Sequence, residues 1–217
     1  YRRQRQMCIR DRTRTYAAVF HVRRPAFDPM LEILSPSTFA VVAAEIGDKT
    51  QLLALCLAAR FHRPVPIILG ILAATVLNHG LASLLGASIA EWLTPNVLRW
   101  VLTASFAAMA VWMLIPDEID EASCDRTVGR FGVFGTTFVL FFLAEMGDKT
   151  QLATVALGAH FQDAFWVTVG TTLGMLIADV PAIFIGNKLS EKLKPAVMRR
   201  IAAVVFAAFA VLTYLGM

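Results

Sequence analysis

One octapeptide occurs twice in the chain, and both copies lie inside long apolar segments. The first copy, residues 45–52, reads EIGDKTQL, and the second, residues 145–152, reads EMGDKTQL. Each copy places two carboxylates, a lysine and an amide among apolar neighbours. Ionisable side chains are costly at membrane depth, and those that occur there usually face a bundle interior or an ion path. The duplicated motif therefore restricts the chain to folds that can bury two charged clusters.

The composition indicates a membrane protein. Hydrophobic residues make up 57% of the chain, whereas soluble domains contain roughly 45–50%. Several windows reach about 20 residues with few charges, the length that a helix needs to cross a bilayer. The apolar pattern is helical or continuous rather than alternating, which excludes a membrane β-barrel. The sequence predicts an all-α polytopic membrane protein.

Six apolar segments follow one another, and the last three repeat the first three at an offset of one hundred residues. Outside the octapeptide, Gly70, Pro95 and Phe106 match Gly170, Pro195 and Phe206. We therefore predict six transmembrane helices, built as two copies of a three-helix unit. The first copy spans residues 30–115, the second spans 132–217, and the acid-rich stretch 116–131 joins them. The six segments are 37–60, 65–90, 97–115, 132–160, 164–189 and 196–217.

An odd number of crossings per copy has a geometric consequence. The second copy must enter the membrane inverted relative to the first, so that the two octapeptides meet near the bilayer midplane, where transporters with inverted repeats hold their substrate. Loop charge predicts the orientation, because cytoplasmic loops are rich in Lys and Arg. The loops after segments one, three and five contain nine such residues and the others contain one. Loop 116–131 is therefore predicted to be cytoplasmic, with both termini of the 30–217 core outside, and a bacterial plasma membrane is favoured.

The first 29 residues differ from the rest of the chain. They contain eight arginines and two aspartates, whereas residues 30–217 carry a net charge of −2. The overall charge of +4 therefore comes from this tail and does not indicate nucleic-acid binding. The Arg-rich tail would also lie on the side that positive loops avoid. We predict that residues 1–29 are a non-native or disordered tail outside the fold.

The spacing within the motif predicts a shared face. On a regular helix Glu45, Asp48 and Gln51 point the same way, whereas Thr50 points elsewhere and should bond a preceding backbone carbonyl. Gly47 removes a side chain where another helix or an ion could approach. The predicted cation ligands are Glu45, Asp48, Gln51, Glu145, Asp148 and Gln151, with the four carboxylates as metal ligands. The predicted supporting and charge-balancing residues are Gly47, Lys49, Thr50, Gly147, Lys149 and Thr150.

Two motifs brought together would suit a divalent cation. Four carboxylates and two lysines sum to −2, and oxygen ligands without Cys or His favour hard ions such as Ca²⁺, Mg²⁺ or Mn²⁺. Carboxylates clustered in a low dielectric should hold protons when no ion is bound. Such a site predicts a cation/proton antiporter, with transported ions and no resident cofactor. The competing interpretation is that Lys49 only forms ion pairs within its helix that hold helices together.

A further pair of polar residues occupies equivalent positions in the two copies. His79 in the second segment aligns with Asp179 in the fifth. Both are candidate proton relays, since titratable residues inside a membrane commonly mark proton or ion paths. The alternative for His79 is a hydrogen bond between helices.

The duplicated Glu-x-Gly-Asp-Lys-Thr hexapeptide resembles that of the Gdt1 family, also called uncharacterised protein family 0016. The resemblance covers essentially residues 30–217, and both hexapeptides fit the family pattern. It implies a bacterial-type six-helix cation/proton exchanger that carries Mn²⁺ or Ca²⁺, with manganese export as the expected role. It also implies functional positions at residues 45, 47–50, 145 and 147–150.

Two other functions are consistent with charged residues at membrane depth. One is an intramembrane lipid-phosphate hydrolase, but neither motif has the Arg or His that would clamp a phosphate. The other is an exporter of small solutes of the amino-acid type, which would need a larger and less charged pocket. We therefore predict a transporter rather than an enzyme, with divalent cations, protons and the lipid bilayer as partners and no nucleic acid. The oligomeric state is left open.

Overall fold

The computed structural model describes residues 29–115, 132–185 and 195–216. All regular elements in these ranges are α-helices, which confirms the all-α class. Apart from Pro29, the predicted tail and the acidic loop lie outside the described residues. The helices are α1 (Pro29–Glu45), α2 (Lys49–Phe61), α3 (Pro64–Trp92), α4 (Pro95–Trp112), α5 (Gly132–Glu145), α6 (Lys149–Phe161), α7 (Ala164–Ile185) and α8 (Pro195–Leu215).

The described residues of each half form four helices, because the octapeptide divides one apolar segment into two helices. The prediction of a regular helix through the first octapeptide was wrong: α1 ends at Glu45, α2 begins at Lys49, and their axes differ by 72°. Gly47 and Gly147 have φ angles of 86° and 77°. L-residues with a side chain pay about 1–2 kcal/mol for this left-handed conformation, which glycine adopts freely.

The main helix contacts join the two halves. Helix α3 packs against α5, α6 and α7, α4 packs against α8, and α2 packs against α7. The equivalent residues Phe106 and Phe206 are both fully buried, with ring centroids 6.4 Å apart. The described residues from Ile33 onward, which include both octapeptides, belong to one compact unit.

Close approaches between the halves are reciprocal. A Cβ atom added to Gly70 would lie 2.8 Å from the Cβ atom of Thr137, and one added to Gly170 would lie 2.9 Å from the Cβ atom of Ser37. Gly70 and Gly170 are equivalent positions in the two halves, and so are Ser37 and Thr137. The two contacts are therefore the same contact with the halves exchanged. Exchanged contacts of this kind are what a two-fold relation between two similar units produces.

Helices α3 and α6 approach so closely at Gly86 that we expect Gly86→Ala to destabilise the protein. An added methyl group would overlap the carbonyl oxygen of Val155 and lie 2.9 Å from the amide nitrogen of Ala159. Overpacking of this kind costs about 1–3 kcal/mol. Thermal unfolding in detergent should therefore show a lower midpoint.

The matched control is Gly80→Ala on the same helix. A methyl group there meets only the Cγ2 atom of Thr168 at 3.9 Å, which is ordinary contact. This variant should unfold at the wild-type temperature or above it, since alanine favours helix. Equal midpoints for the two variants would contradict the close packing at Gly86.

Three described helical stretches are long and apolar enough to cross a membrane: Pro64–Trp92, Ala164–Phe184 and Ala196–Leu215. The bent pair Met30–Glu45 and Lys49–Phe61 makes a fourth if it is counted as one span. The chain is therefore a helical membrane protein by length and composition, while six crossings with inverted halves remain a prediction.

Candidate functional site

Both octapeptides form the same broken-helix turn. Glu45 is the last residue of α1 and Asp48 is the N-cap residue of α2, and Glu145 and Asp148 hold the same places between α5 and α6. The glutamate therefore lies at a helix C-terminus and the aspartate at a helix N-terminus. A broken helix presents free backbone groups and acidic side chains together, as transporters do at their ion sites.

The glutamines close the gap in the backbone hydrogen bonding. The amide of Gly47 donates to Oε1 of Gln51 at 3.0 Å, and the amide of Gly147 donates to Oε1 of Gln151 at 2.7 Å. This amide group would otherwise lack the partner that a continuous helix supplies. The backbone amide occupies only one of the two lone pairs of each glutamine oxygen, and the second is available to a cation. Cation binding by the glutamines stays a prediction.

The predicted hydrogen-bond partner of the threonines was wrong. Oγ1 of Thr50 donates to Oε1 of Glu45, and Oγ1 of Thr150 donates to Oε2 of Glu145 at 2.7 Å. The expected bond to a preceding backbone carbonyl assumed an unbroken helix. Because the turn redirects the chain between the two residues, each threonine hydroxyl instead faces the glutamate and orients its carboxylate.

The structure brings the two copies together. Glu45 and Glu145 are both 0% exposed, and Asp48 and Asp148 are also buried. Glu45 lies within range of Coulomb repulsion from Glu145 and from both aspartates. Nζ of Lys49 lies 2.7 Å from Oδ1 of Asp148, an ion pair that connects one copy to the other.

The two lysines differ in exposure. The side chain of Lys49 is 32% exposed where it meets Asp148. Lys149 is buried, and its Nζ atom donates to the carbonyl oxygen of Ile115 at 2.8 Å. The ion pair of Lys49 thus joins the two halves, whereas the competing interpretation had placed it within a single helix.

Several carboxylate oxygens at this junction lack a hydrogen-bond partner among the described residues. They are Oε2 of Glu45, Oε1 of Glu145 and Oδ2 of Asp148. A buried polar atom without a partner costs free energy that a cation, a proton or water can recover. In the same described part of the chain, no three His, Cys, Asp or Glu side chains converge to hold a metal ion together. The arrangement is therefore an open cluster of carboxylates that an ion would have to draw together.

A second layer of residues from α3 and α7 holds the glutamines. Nε2 of Gln151 donates to Oδ1 of Asn78 at 3.0 Å, and Nε2 of Gln51 donates to the carbonyl oxygen of Ala178 at 2.9 Å. Asn78 in turn donates to the carbonyl oxygen of Phe142 at 3.1 Å. Sequence reasoning did not include Asn78 among the site residues. Its signal was a polar residue inside an apolar helix, equivalent to Ala178 in the other half.

His79 follows Asn78 in α3, and Asp179 follows Ala178 in α7. Both are fully buried, and none of their side-chain nitrogen or oxygen atoms has a hydrogen-bond partner within the described ranges. Asp179 interacts electrostatically with Glu45 and Glu145. Asp179 therefore lies within electrostatic range of the motif glutamates, and no described residue gives His79 a hydrogen bond between helices.

Comparisons with known proteins agree with a transport site. Residues 33–121 and 133–217 match the family model described as "Divalent cation/proton antiporter GDT1". A Vibrio cholerae protein named "Putative manganese exporter" is 47% identical over 185 residues, which is 85% of this chain and 91% of the relative.

More distant relatives carry the family name. "GDT1-like protein 3" of rice (Oryza sativa subsp. japonica) is 30% identical over 85% of this chain and 74% of the relative. "GDT1-like protein sll0615" of Synechocystis is 27% identical over 85% of this chain and 98% of the relative. No solved structure matches the chain significantly.

Proposed function

The chain belongs to the GDT1 family of divalent cation/proton antiporters, and on that basis we propose that it exchanges a divalent cation for protons across a membrane. The favoured cation is Mn²⁺, with Ca²⁺ as the other candidate, and the expected role is manganese export. The name of the Vibrio cholerae relative supports this choice. The observation that carries the proposal is the contact between the two octapeptides: Nζ of Lys49 lies 2.7 Å from Oδ1 of Asp148, and the glutamate of each copy is fully buried.

The ligand set supports a hard divalent ion. The side chains at the junction offer carboxylate and amide oxygens, which suit Mn²⁺ and Ca²⁺ better than the softer metals that prefer sulfur. The motif residues sum to a charge of −2 when all are ionised. A divalent ion would therefore neutralise the cluster.

The unpartnered carboxylate oxygens support exchange for protons. A buried carboxylate that loses its cation is left with an uncompensated charge in a medium of low dielectric. Protons can neutralise the same oxygens, so ion and protons compete for one set of atoms. If the site opens to one side of the membrane at a time, this competition couples the two flows.

Lys49 supplies an internal counterion to the carboxylates. Its ammonium group lies 2.7 Å from Asp148, one of the proposed metal ligands. An incoming divalent ion would repel this ammonium group and take over the carboxylate. Lys49 would then move toward solvent, since its side chain is already partly exposed.

The proposed arrangement in the membrane is six crossings in two inverted halves, with the site near the midplane. The reciprocal contacts of Gly70 and Gly170 support a two-fold relation between the halves. The positive loops predict a cytoplasmic acidic loop and both termini of the core outside. A bacterial plasma membrane fits the bacterial relatives.

Reconstituted liposomes test the proposal. The full chain is placed in vesicles with a pH dye inside and the membrane potential clamped, and Mn²⁺ is added outside. Entry of Mn²⁺ should drive protons out and raise the internal pH, more strongly for Mn²⁺ than for Ca²⁺ and least for Mg²⁺. Protein-free vesicles provide the background.

Two other outcomes would redirect the assignment. A complete lack of metal-dependent pH change would reject the antiporter. Release of phosphate from lipid phosphates would instead favour the hydrolase, and efflux of preloaded amino acids without metal would favour the solute exporter.

A further inference from the structure

We propose that Asp179 is an additional ligand of the transported cation, contributed by α7 from outside both octapeptides. The proposal rests on the proposed divalent-cation exchange and adds a residue that makes the site asymmetric. The structural basis is the burial of Asp179, its unpartnered oxygens and its position beside Glu45 and Glu145.

The first step is the state of the side chain itself. Asp179 is 0% exposed, and neither carboxylate oxygen has a hydrogen-bond partner in the described part of the chain. Acidic side chains are almost never fully buried unless they are paired, bind a metal ion or hold a proton, and the last two are the alternating states of an exchange site. A purely structural aspartate would instead accept hydrogen bonds from neighbouring donors.

The second step is its position. The carbonyl oxygen of the preceding residue, Ala178, accepts the hydrogen bond of Gln51 at 2.9 Å. Gln51 also accepts the amide of Gly47 inside the broken turn. One turn of α7 is thereby fastened to the first octapeptide, and Asp179 interacts electrostatically with Glu45 and Glu145.

The third step is the comparison with the other half. The equivalent of Asp179 is His79, and the equivalent of Ala178 is Asn78, whose side chain holds Gln151. Helix α3 therefore brings an amide and an imidazole to the place where α7 brings a backbone carbonyl and a carboxylate. A cation bound by Asp179 would therefore lie nearer α7 than α3, away from the axis that relates the two halves.

The fourth step is the charge. With Asp179 ionised, the cluster carries one negative charge beyond that of the two motifs. Affinity of oxygen cages for divalent ions depends strongly on the number of charged ligands. The ion would draw Asp179 toward Glu45 and Glu145, since no three of the described carboxylates converge without it.

Direct Mn²⁺ binding to the purified full chain in detergent tests this assignment. Free Mn²⁺ is followed by its electron paramagnetic resonance signal, and thermal unfolding is recorded with and without Mn²⁺. We expect Asp179→Asn to weaken Mn²⁺ binding by about tenfold. The rise in unfolding temperature that Mn²⁺ produces should shrink accordingly, because a ligand stabilises in proportion to its occupancy.

The metal-free protein separates a ligand from a structural residue. Without a metal ion the buried carboxyl group of Asp179 should hold a proton, and asparagine replaces it with a neutral group of the same size, so the metal-free unfolding temperature of Asp179→Asn should equal or exceed that of the wild type. Asp179→Glu keeps the carboxylate and should bind Mn²⁺ more tightly than Asp179→Asn. The matched control is Thr172→Val, another buried α7 residue whose hydroxyl lacks a partner among the described residues. It should bind Mn²⁺ as the wild type does.

Each contrary result has a defined meaning. Binding by Asp179→Asn within about threefold of the wild type would reject the assignment while leaving antiport intact. The assignment would also be rejected if Asp179→Asn unfolds at a markedly lower temperature without metal and Asp179→Glu does not recover Mn²⁺ binding. If the wild type neither binds Mn²⁺ nor exchanges it in liposomes, the proposed function and this assignment fall together.

Discussion

Glu45→Gln is expected to reduce metal-driven proton flux by about a hundredfold or more, because the affinity of oxygen cages falls steeply with each lost charge. Glu45 is fully buried at the junction of the two halves and has an oxygen without a hydrogen-bond partner among the described residues. Glutamine keeps the shape of the side chain and can still accept the hydrogen bond of Thr50. The fold should therefore persist while the site loses a ligand and a proton acceptor.

Initial rates in pH-dye liposomes measure this effect, and the thermal unfolding midpoint verifies folding. The control is Glu91→Gln, which removes a carboxylate from the exposed end of α3. This variant should transport at the wild-type rate. Flux in Glu45→Gln within about twofold of the wild type would remove Glu45 from the ion path, since loss of a ligand should cost far more.

Gly147→Ala should also impair transport, by at least about tenfold, because small misplacements of acting groups are costly. Gly147 has φ of 77° in the turn between Glu145 and Asp148. Space is available for a methyl group, since nothing lies within 4 Å of the added Cβ atom. The substitution therefore acts through backbone strain of about 1–2 kcal/mol, which would shift the turn and both carboxylates.

Gly132→Ala is the matched control for backbone strain. Gly132 begins α5 with φ of 66° and also has open space around it. Gly132→Ala should lose no more stability than Gly147→Ala and should transport at the wild-type rate. If both variants transport equally well, the geometry of the Gly147 turn does not matter for function.

The meeting of the two octapeptides followed from the sequence for a physical reason. Isolated charged clusters are too costly in an apolar chain to remain unpaired, and a repeat at constant offset indicates two equivalent units. The cross-repeat pair Lys49–Asp148 agrees with that reasoning. The all-α class followed equally well from long apolar segments without alternation.

The interruption at the motif was not recognised from the sequence. A single glycine is tolerated inside a helix, and the apolar pattern continues on both sides, so neither signal distinguishes a break from a close packing contact. The errors for Thr50 and Thr150 followed from that one assumption. Asn78 was left out because its partner, Gln151, lies in a different helix of the other half.

The sequence by itself determined that this chain is helical, apolar, duplicated and charged at two equivalent places, because these properties depend on composition and period. Only the tertiary structure decided that each octapeptide is a turn between two helices. It also decided that each threonine hydroxyl bonds the glutamate of its own octapeptide and that Lys49 pairs with Asp148 of the other copy. Those contacts depend on backbone angles at glycine and on packing between residues about one hundred positions apart, which no local pattern specifies.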